Sequence, residues 1–130
     1  MNQENSVKLF KRFTFFHPEK KLTESLMAFG FECRDGWFNI IWNLCEKIEG
    51  ELKNHSRLDD FVVLQVKEKF GTLRFYTNFE IGKMREYIEE AEKESANTCE
   101  ICGEKGKLRD DLGWIVTLCD KHYSEKLNKC

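Results

Sequence analysis

Four residues near the end of the chain have the types and the spacing of a metal site. Cys99 and Cys102 form a C-x2-C pair, and after sixteen intervening residues Cys119 and His122 form a C-x2-H pair. Zn²⁺ binds thiolate sulfur and imidazole nitrogen tetrahedrally, so four such donors complete its coordination. The pattern therefore predicts one structural zinc ion held by these four residues, and it favours this over a disulfide set.

The residues around these donors must fold them toward one point. Gly103 directly follows the first pair and allows the backbone to reverse. A β-prone run over residues 114–118 leads into the second pair, and Cys119 is expected to open a helix that runs through Lys126. In such a helix residues i and i+3 share one face, as two ligands must. Knuckle, hairpin and helix together predict a treble-clef-like zinc finger.

The same set of donors argues against catalysis. A catalytic zinc keeps one coordination position open, whereas three cysteines and one histidine fill all four. The sequence contains no nucleophile elbow, P-loop, Rossmann glycine pattern or H-E-x-x-H motif. A nuclease-like enzyme would need further histidines, and only His17 and His55 lie outside the finger. Such an enzyme stays an alternative that ranks below two binding functions.

Length and composition indicate the size of the domain and the cellular compartment. The 130 residues, 41% of them hydrophobic, suffice for one domain of ordinary size. No apolar run approaches the ~20 residues of a membrane-spanning helix, and the first residues lack the apolar region of a signal peptide. Six cysteines, three of which belong to the four-ligand zinc pattern and which form no regular disulfide framework, fit a reducing compartment. We expect a cytoplasmic protein without a membrane partner.

Hydrophobic periodicity predicts the elements of an α+β body that precedes the finger. Apolar stripes predict helices, and alternation predicts a β-hairpin. The predicted elements are helices over 18–29, 36–53 and 80–96 and a hairpin over 61–77. The helix over 36–53 carries Trp37, Ile41 and Leu44 on one stripe, so we expect it to be the core helix.

The predicted division of the chain has two parts that pack as a single compact unit. Residues 1–96 form the α+β body, and residues 97–130 form the zinc finger. Because no glycine-, serine- or proline-rich linker joins them, we expect the finger to dock on the body. The full prediction is a helical body with a β-hairpin and a docked C-terminal treble-clef-like finger.

Two other groups of residues leave alternatives open. In residues 1–16 phenylalanines alternate with cations, which favours packing in the core over stacking on single-stranded nucleic acid. Cys33 and Cys45 lack close partners and are interpreted as buried thiols rather than ligands. Cys130 is given no role.

Several motifs together resemble a known family. They are VKEKFGTLRFY at 66–76, ANTCEICG at 96–103 and GW-x2-TLCD-x-H at 113–122, with Arg-Asp-Gly-Trp at 34–37 before them. This combination resembles a family of small uncharacterised proteins of bacteriophages, prophages and bacteria, which have a GDGW-like helix start, a KEKFGGLRFY-like hairpin and a C-terminal CxxC…CxxH finger. Thr72 stands where that family often has a second glycine. The resemblance implies a shared fold and a phage setting, and no reaction.

Two binding functions then compete. The first is a small zinc-binding, non-catalytic interaction protein, a phage or prophage factor that engages a host protein in the host cytoplasm. The second is nucleic-acid binding through the finger and a hairpin patch of Lys67, Lys69, Arg74 and Tyr76, whose side chains cross-strand pairing would gather. The net charge of −2 disfavours a general coat for nucleic acid, which needs a dominant basic face. We therefore expect a protein partner, with nucleic acid as the alternative.

Overall fold

The computed structural model describes residues 1–128, which form helices and two small sheets. The four helices, α1 to α4, are Gln3–Arg12, Phe38–Asn54, Met84–Ser95 and Asp120–Leu127. The five strands, β1 to β5, are Phe31–Glu32, Val63–Lys69, Thr72–Thr77, Lys107–Arg109 and Val116–Leu118. This mixed arrangement confirms the predicted α+β class. Among these residues no helix has the length and the apolar composition needed to cross a membrane.

Helix α2 is the centre of the hydrophobic core. A 3-10 turn, Asp35–Trp37, leads into it, and Trp37 is fully buried. Its inner stripe, including Ile41, Leu44 and Ile48, is buried against α3 and the sheet. The predicted helix over 36–53 and its packing stripe are therefore confirmed.

The larger sheet has the strand order β1-β2-β3. Strands β2 and β3 pair antiparallel, with Val66 opposite Phe75 and both side chains buried, so the hairpin predicted over 61–77 is confirmed. Strand β1 pairs parallel with the other edge of β2. Because β1 has only two residues, it offered no alternation from which it could be predicted.

The helix predicted over residues 18–29 is wrong. The segment forms turns and a short 3-10 helix, Met27–Phe29. Leu22 and Phe29, whose spacing predicts one apolar helix face together with Leu26, are 54% and 62% exposed. The amide of Leu26 instead donates to the carbonyl of Leu64 in β2, at 2.7 Å. Strand β2 therefore satisfies the Leu26 amide, and the apolar spacing over 18–29 does not correspond to one face of a helix.

The first residues form a helix that the sequence left open. Asn2 caps α1 by accepting the amide of Asn5, and α1 delivers Phe13, Phe15 and Phe16 to the core. The rings of Phe13 and Phe15 stack with centroids 5.5 Å apart. The interpretation that these aromatic residues pack in the core is thus confirmed.

Helix α3 begins later than predicted. The sequence predicted a helix over 80–96, whereas α3 starts at Met84 after a turn. Of the inner stripe that the spacing predicts, Met84, Ile88, Ala91 and Ser95 are buried, whereas Ile81 lies before the helix and is half-buried. The Ser95 hydroxyl accepts the amide of Leu73 at 2.9 Å, which ties α3 to the hairpin.

The backbone at the start of α2 lies directly against the backbone of residues 99–100. The amide of Gly36 donates to the carbonyl of Glu100 at 2.7 Å. A Cβ atom at Gly36 would stand 2.1 Å from the carbonyl oxygen of Cys99, a distance that backbone cannot accommodate without moving. Position 36 therefore requires glycine.

We expect Gly36→Ala to lower the free energy of unfolding by about 1–3 kcal/mol, because the added methyl group must displace backbone. Gly50→Ala is the matched control, since a Cβ at this position in α2 meets nothing within 4 Å. It should raise stability by about 0.5–1 kcal/mol by restricting the unfolded chain. Urea denaturation of both variants measures the two changes in the free energy of unfolding. If both changes had the same sign, the prediction would be wrong.

An ion pair joins α1 to α2. Arg12 donates to both carboxylate oxygens of Glu49, each at 3.0 Å, and the side chain of Glu49 is 13% exposed. The hydrogen bond from Arg12 lowers the pKa of Glu49 although burial opposes this. The folded protein therefore holds this carboxylate ionised to lower pH than the unfolded chain does.

This pair should make a pH-dependent contribution to stability of about 1 kcal/mol. Because the folded pKa of Glu49 is lowered, the contribution is present above the ordinary value near 4.5 and is lost as the pH falls through the folded pKa. Glu49→Gln should lower the free energy of unfolding by this amount at pH 7. It should also reduce the loss of stability between pH 7 and pH 3. Thermal unfolding from pH 3 to 7 tests this, and an unchanged loss of stability would contradict it.

Candidate metal centre

Four donor atoms converge at the C-terminal end of the described chain. One ligand atom each from Cys99, Cys102, Cys119 and His122 lie within 4.8 Å of one another. Two of these residues precede the β4-β5 hairpin and two follow it. The structure thus brings together all four of the residues that the sequence predicted as ligands.

The distances between the donors fit tetrahedral zinc. With Zn–S near 2.3 Å and Zn–N near 2.0 Å, the edges of the tetrahedron are about 3.8 Å between sulfurs and about 3.6 Å between sulfur and nitrogen. The sulfurs of Cys102 and Cys119 are 3.8 Å apart, and Cys99 Sγ lies 3.6 Å from His122 Nδ1. Cys119 Sγ is closer to that nitrogen, at 3.2 Å. The cluster could therefore hold one zinc ion with little rearrangement.

The first pair of cysteines lies on a tight turn. The amide of Gly103 donates to the carbonyl of Cys99 at 2.9 Å, and Gly103 has φ +82°. The amide of Cys99 is paired in turn with the carbonyl of Glu104, at 2.7 Å. The backbone reversal expected at Gly103 is thus present, and it turns both sulfurs to the same side.

The second pair lies at the start of α4. Cys119 is the N-cap of this helix, and its sulfur accepts the amide of His122 at 3.4 Å. His122 directs Nδ1 at the thiols and leaves Nε2 4.0 Å from a carboxylate oxygen of Glu125. This distance is longer than a hydrogen bond, so Glu125 is a neighbour of the ring and not its hydrogen-bond partner. The helix predicted to open at Cys119 therefore forms and presents Nδ1 as the donor.

The thiols of this cluster differ in acidity when no cation is present. Burial opposes ionisation of Cys99, but backbone N–H donors from Cys119, Cys102 and Ile101 lower its pKa. Desolvation and hydrogen bonds with the other two thiols raise the pKa of Cys102 to about 11. Three thiolates this close together repel one another, and a divalent cation removes that repulsion. The chemistry of the cluster is therefore that of a soft-metal site.

Hydrogen bonds join this region to the preceding residues. Besides the bond from Gly36, the indole N–H of Trp37 donates to the carbonyl of Thr98 at 2.9 Å. The buried hydroxyl of Thr117 in β5 donates to the carbonyl of Gly71 in the hairpin turn, at 2.7 Å. The division into a body, residues 1–96, and a finger, residues 97–130, stays a prediction, and these bonds cross its boundary.

The residues of the predicted hairpin patch lie close together, but one of their charges is already paired. Lys67 stands opposite Arg74 in the register of β2 and β3. Arg74 donates to Glu92 of α3 at 3.1 Å, and the ammonium of Lys69 lies 5.7 Å from the centre of the Phe70 ring. Tyr76 is 41% exposed on β3. A binding role for Lys67, Lys69, Arg74 and Tyr76 stays a prediction.

Among the described residues, two further cysteines lie outside the cluster. Cys33 and Cys45 are buried and free, which confirms their interpretation as buried thiols. Burial raises the pKa of Cys33 to about 12 and that of Cys45 well above its ordinary value, so both thiols stay protonated. Cys130 lies outside the described residues.

One acidic residue near the cluster was missed by the sequence analysis. Glu100 lies between the first two cysteines and is only 6% exposed. Burial raises its pKa, and Glu68 of β2 adds to this effect. Its position inside the C-E-I-C motif was visible, but its burial depends on residues far away in sequence.

Replacing one donor, by Cys119→Ser, should lower the zinc content from about one equivalent to below half. Intact four-ligand sites in finger peptides bind zinc with about 10–16 kcal/mol, and the variant loses the share that one thiolate contributes. Amide exchange should rise across residues 99–125 far more than in α2, since only a small apolar cluster supports that region. Elemental analysis and hydrogen-exchange mass spectrometry measure the two effects. Cys45→Ala, a buried thiol outside the cluster, should keep its zinc. Wild-type protein carrying less than about half an equivalent would contradict the site.

Comparisons with protein-family models, with curated proteins and with solved structures find no match. The resemblance to a family of phage and bacterial proteins therefore stays a prediction that rests on the motifs themselves. The function has to be argued from the chemistry of the cluster and the surface around it.

Proposed function

We propose that this chain is a small zinc-binding, non-catalytic module that binds a protein partner. The observation that carries the proposal is the convergence of three cysteines and one histidine within 4.8 Å. Such a set fills every coordination position of zinc and leaves none for a substrate or an attacking water. In this proposal the metal shapes a surface and takes no part in a reaction.

The surface next to the cluster supports a protein partner. Phe70, Leu108 and Trp114 are large apolar residues that are 66%, 50% and 52% exposed. Contiguous exposed apolar area of this kind is typical of surfaces that bind proteins. Glu68 and Lys69 beside this surface carry opposite charges, and protein interfaces commonly have polar residues at their rim.

The proposal includes the architecture and setting that the sequence suggested. The turn at the first cysteine pair, the β4-β5 hairpin and α4 follow one another in the order of a treble-clef finger. We take the motif resemblance to indicate a phage or prophage factor that acts on a host protein in the host cytoplasm.

An affinity capture from bacterial lysate tests the proposed function. The zinc-loaded chain is immobilised, and the lysate is applied with and without nuclease treatment. A specific protein retained in both arms supports the proposal. Retention that disappears after nuclease treatment, or no retained protein, would contradict it.

Nucleic-acid binding is the second candidate, and one observation favours it. Lys67 and Arg74 face each other across β2 and β3, and Lys69 lies at the end of β2. Against it, Glu92 already pairs with Arg74, and the chain has a net charge of −2. A phosphate would have to compete with that carboxylate for the guanidinium group.

We expect duplex binding no tighter than ~10 μM at physiological salt, which is a nonspecific level. Fluorescence anisotropy with labelled DNA and RNA measures it. Replacing Lys67 and Lys69 with alanine should leave the weak binding almost unchanged. The result would be different if the chain bound DNA or RNA with submicromolar affinity and the substitutions weakened this binding and its salt dependence. Nucleic-acid binding would then replace protein binding as the first candidate function.

A further inference from the structure

An exposed apolar surface lies where the hairpin turn meets the finger. We call it the junction patch, and it consists of Phe70, Leu108, Trp114 and Ile115. A Cβ atom at Gly71 would stand 2.5 Å from Leu108 Cδ1 and 3.1 Å from Ile115 Cγ2. The turn and the finger are therefore in contact here and form one continuous surface.

Phe70 occupies a backbone conformation that does not suit it. It has φ +53° and precedes Gly71 at φ +85°, so both central residues of the turn have positive φ. Asn, Asp and Gly favour such positions, whereas a bulky residue there is strained. Since its ring is 66% exposed, burial in the fold does not offset the strain. Residue 70 therefore places an aromatic ring on the surface, although this residue strains the backbone of the turn.

A cavity of about 210 Å³ opens beside the junction patch, between the hairpin and the finger. Trp114 and Ile115 of the patch form part of its wall, together with two carboxylates, Glu68 and Glu100. Both carboxylates are held by backbone amides. Glu68 Oε2 accepts the amide of Gly71 at 2.6 Å, and Glu100 Oε2 accepts that of Arg34 at 3.2 Å.

One carboxylate in this cavity is held at one of its two oxygens. Glu100 is 6% exposed, and its recorded hydrogen bond is the one that its Oε2 accepts from the amide of Arg34. A buried carboxylate is stabilised when a donor, above all a cationic one, completes its hydrogen bonds. The cavity therefore favours a group with N–H donors.

Cations also line the cavity, and they differ from the carboxylates in how they are held. The Arg34 side chain is exposed, so its guanidinium can turn toward water when another group enters. Lys126 of α4 contributes a second cation to the wall. The two carboxylates cannot turn away, because backbone amides hold both of them. The cavity therefore has two acceptor groups fixed in place, Glu68 on the hairpin side and Glu100 on the finger side, which favours a side chain with N–H donors over a phosphate or an acidic peptide.

We propose that the junction patch and this cavity form the docking site for an apolar segment of a partner protein that carries one basic side chain. The arginine or lysine side chain enters the cavity and donates to Glu100 and Glu68. Apolar residues on either side of it cover Phe70 and Trp114, where an aromatic ring also attracts a cation. This inference rests on the proposed function, because it names the surface and the chemistry of the partner.

Three peptides that differ at one position provide the test. Each carries the same leucine and phenylalanine residues around a central arginine, norleucine or glutamate. Binding to the zinc-loaded chain is followed by the indole N–H signal of Trp114 in NMR spectra, with the buried Trp37 as the internal control. We expect the arginine peptide to shift the Trp114 signal with a Kd below ~1 mM and to bind about tenfold more tightly than the glutamate peptide. Equal or tighter binding of the glutamate peptide, or no binding of the arginine peptide, would overturn the proposal.

Variants of the carboxylates test the role of the cavity. Glu100→Gln and Glu68→Gln each keep an oxygen that can accept the backbone amide, so both should fold. Each should weaken the arginine peptide about tenfold and leave the norleucine peptide unchanged. Equal weakening of both peptides would overturn the assignment of the cavity to a basic side chain.

Phe70→Asn separates binding from folding. Asparagine tolerates positive φ, so this variant should have an unchanged or raised melting temperature. It should nevertheless weaken the arginine peptide about tenfold or more, as expected for an aromatic contact at the centre of an interface. Wild-type affinity in this variant would overturn the role of the patch.

The same variants distinguish this proposal from the proposed function. A lysate protein that binds the wild type, Phe70→Asn and Glu100→Gln equally well would overturn this docking site and leave the proposed function intact. Failure of the wild type to retain any protein would contradict the proposed function itself. An oligonucleotide that shifts the Trp114 signal at lower concentration than the arginine peptide would overturn the choice of a protein partner.

Discussion

The contact between the backbone of Gly36 and the backbone of Cys99 and Glu100 is the constraint on which the rest of the structure depends. It leaves no room for a side chain at Gly36, and the amide there donates to the carbonyl of Glu100. The next residue, Trp37, is fully buried in the core and donates to the carbonyl of Thr98. The beginning of the core helix and the first metal ligand are therefore fixed to each other within a few residues. The finger has a small apolar cluster of its own, so this attachment stabilises it, and a metal ion bound by the four donors would add what its core cannot supply.

The features that the sequence predicted well are those that short spacings determine. Helix α2 repeats an apolar residue every three or four positions, and β2 and β3 alternate. The ligand set was also predictable, because C-x2-C and C-x2-H spacings follow from how one turn and one helix end present donors. The sequence did not reveal that His122 turns Nδ1 toward the thiols, because the orientation of the ring depends on the fold around it.

The features that were missed depend on contacts between distant residues. The start of α1 is fixed by Asp35, whose carboxylate accepts the amide of Asn2 at 2.8 Å and a side-chain donor of Asn5. The segment over 18–29 does not form the predicted helix, because β2 satisfies its backbone at Leu26. The cavity beside Glu100 belongs to the same class, since its walls come from β2, the finger and the residue before α2. A local periodicity carries no information about such contacts, which the fold creates only when distant segments meet.

The metal centre and the strained turn are linked through the backbone of one residue. Gly71 donates its amide to Glu68 and accepts the hydroxyl of Thr117 at its carbonyl, so both of its polar backbone groups are held. A turn with positive φ at Phe70 persists when its surroundings determine it on several sides, as they do here. Thr117 lies in β5, two residues before the ligand Cys119, and its position depends on the fold of the finger. An ion bound by the four donors would order the finger and thereby also hold the turn that exposes the Phe70 ring. Metal binding and the shape of the junction patch would in this way be coupled through Thr117 and Gly71.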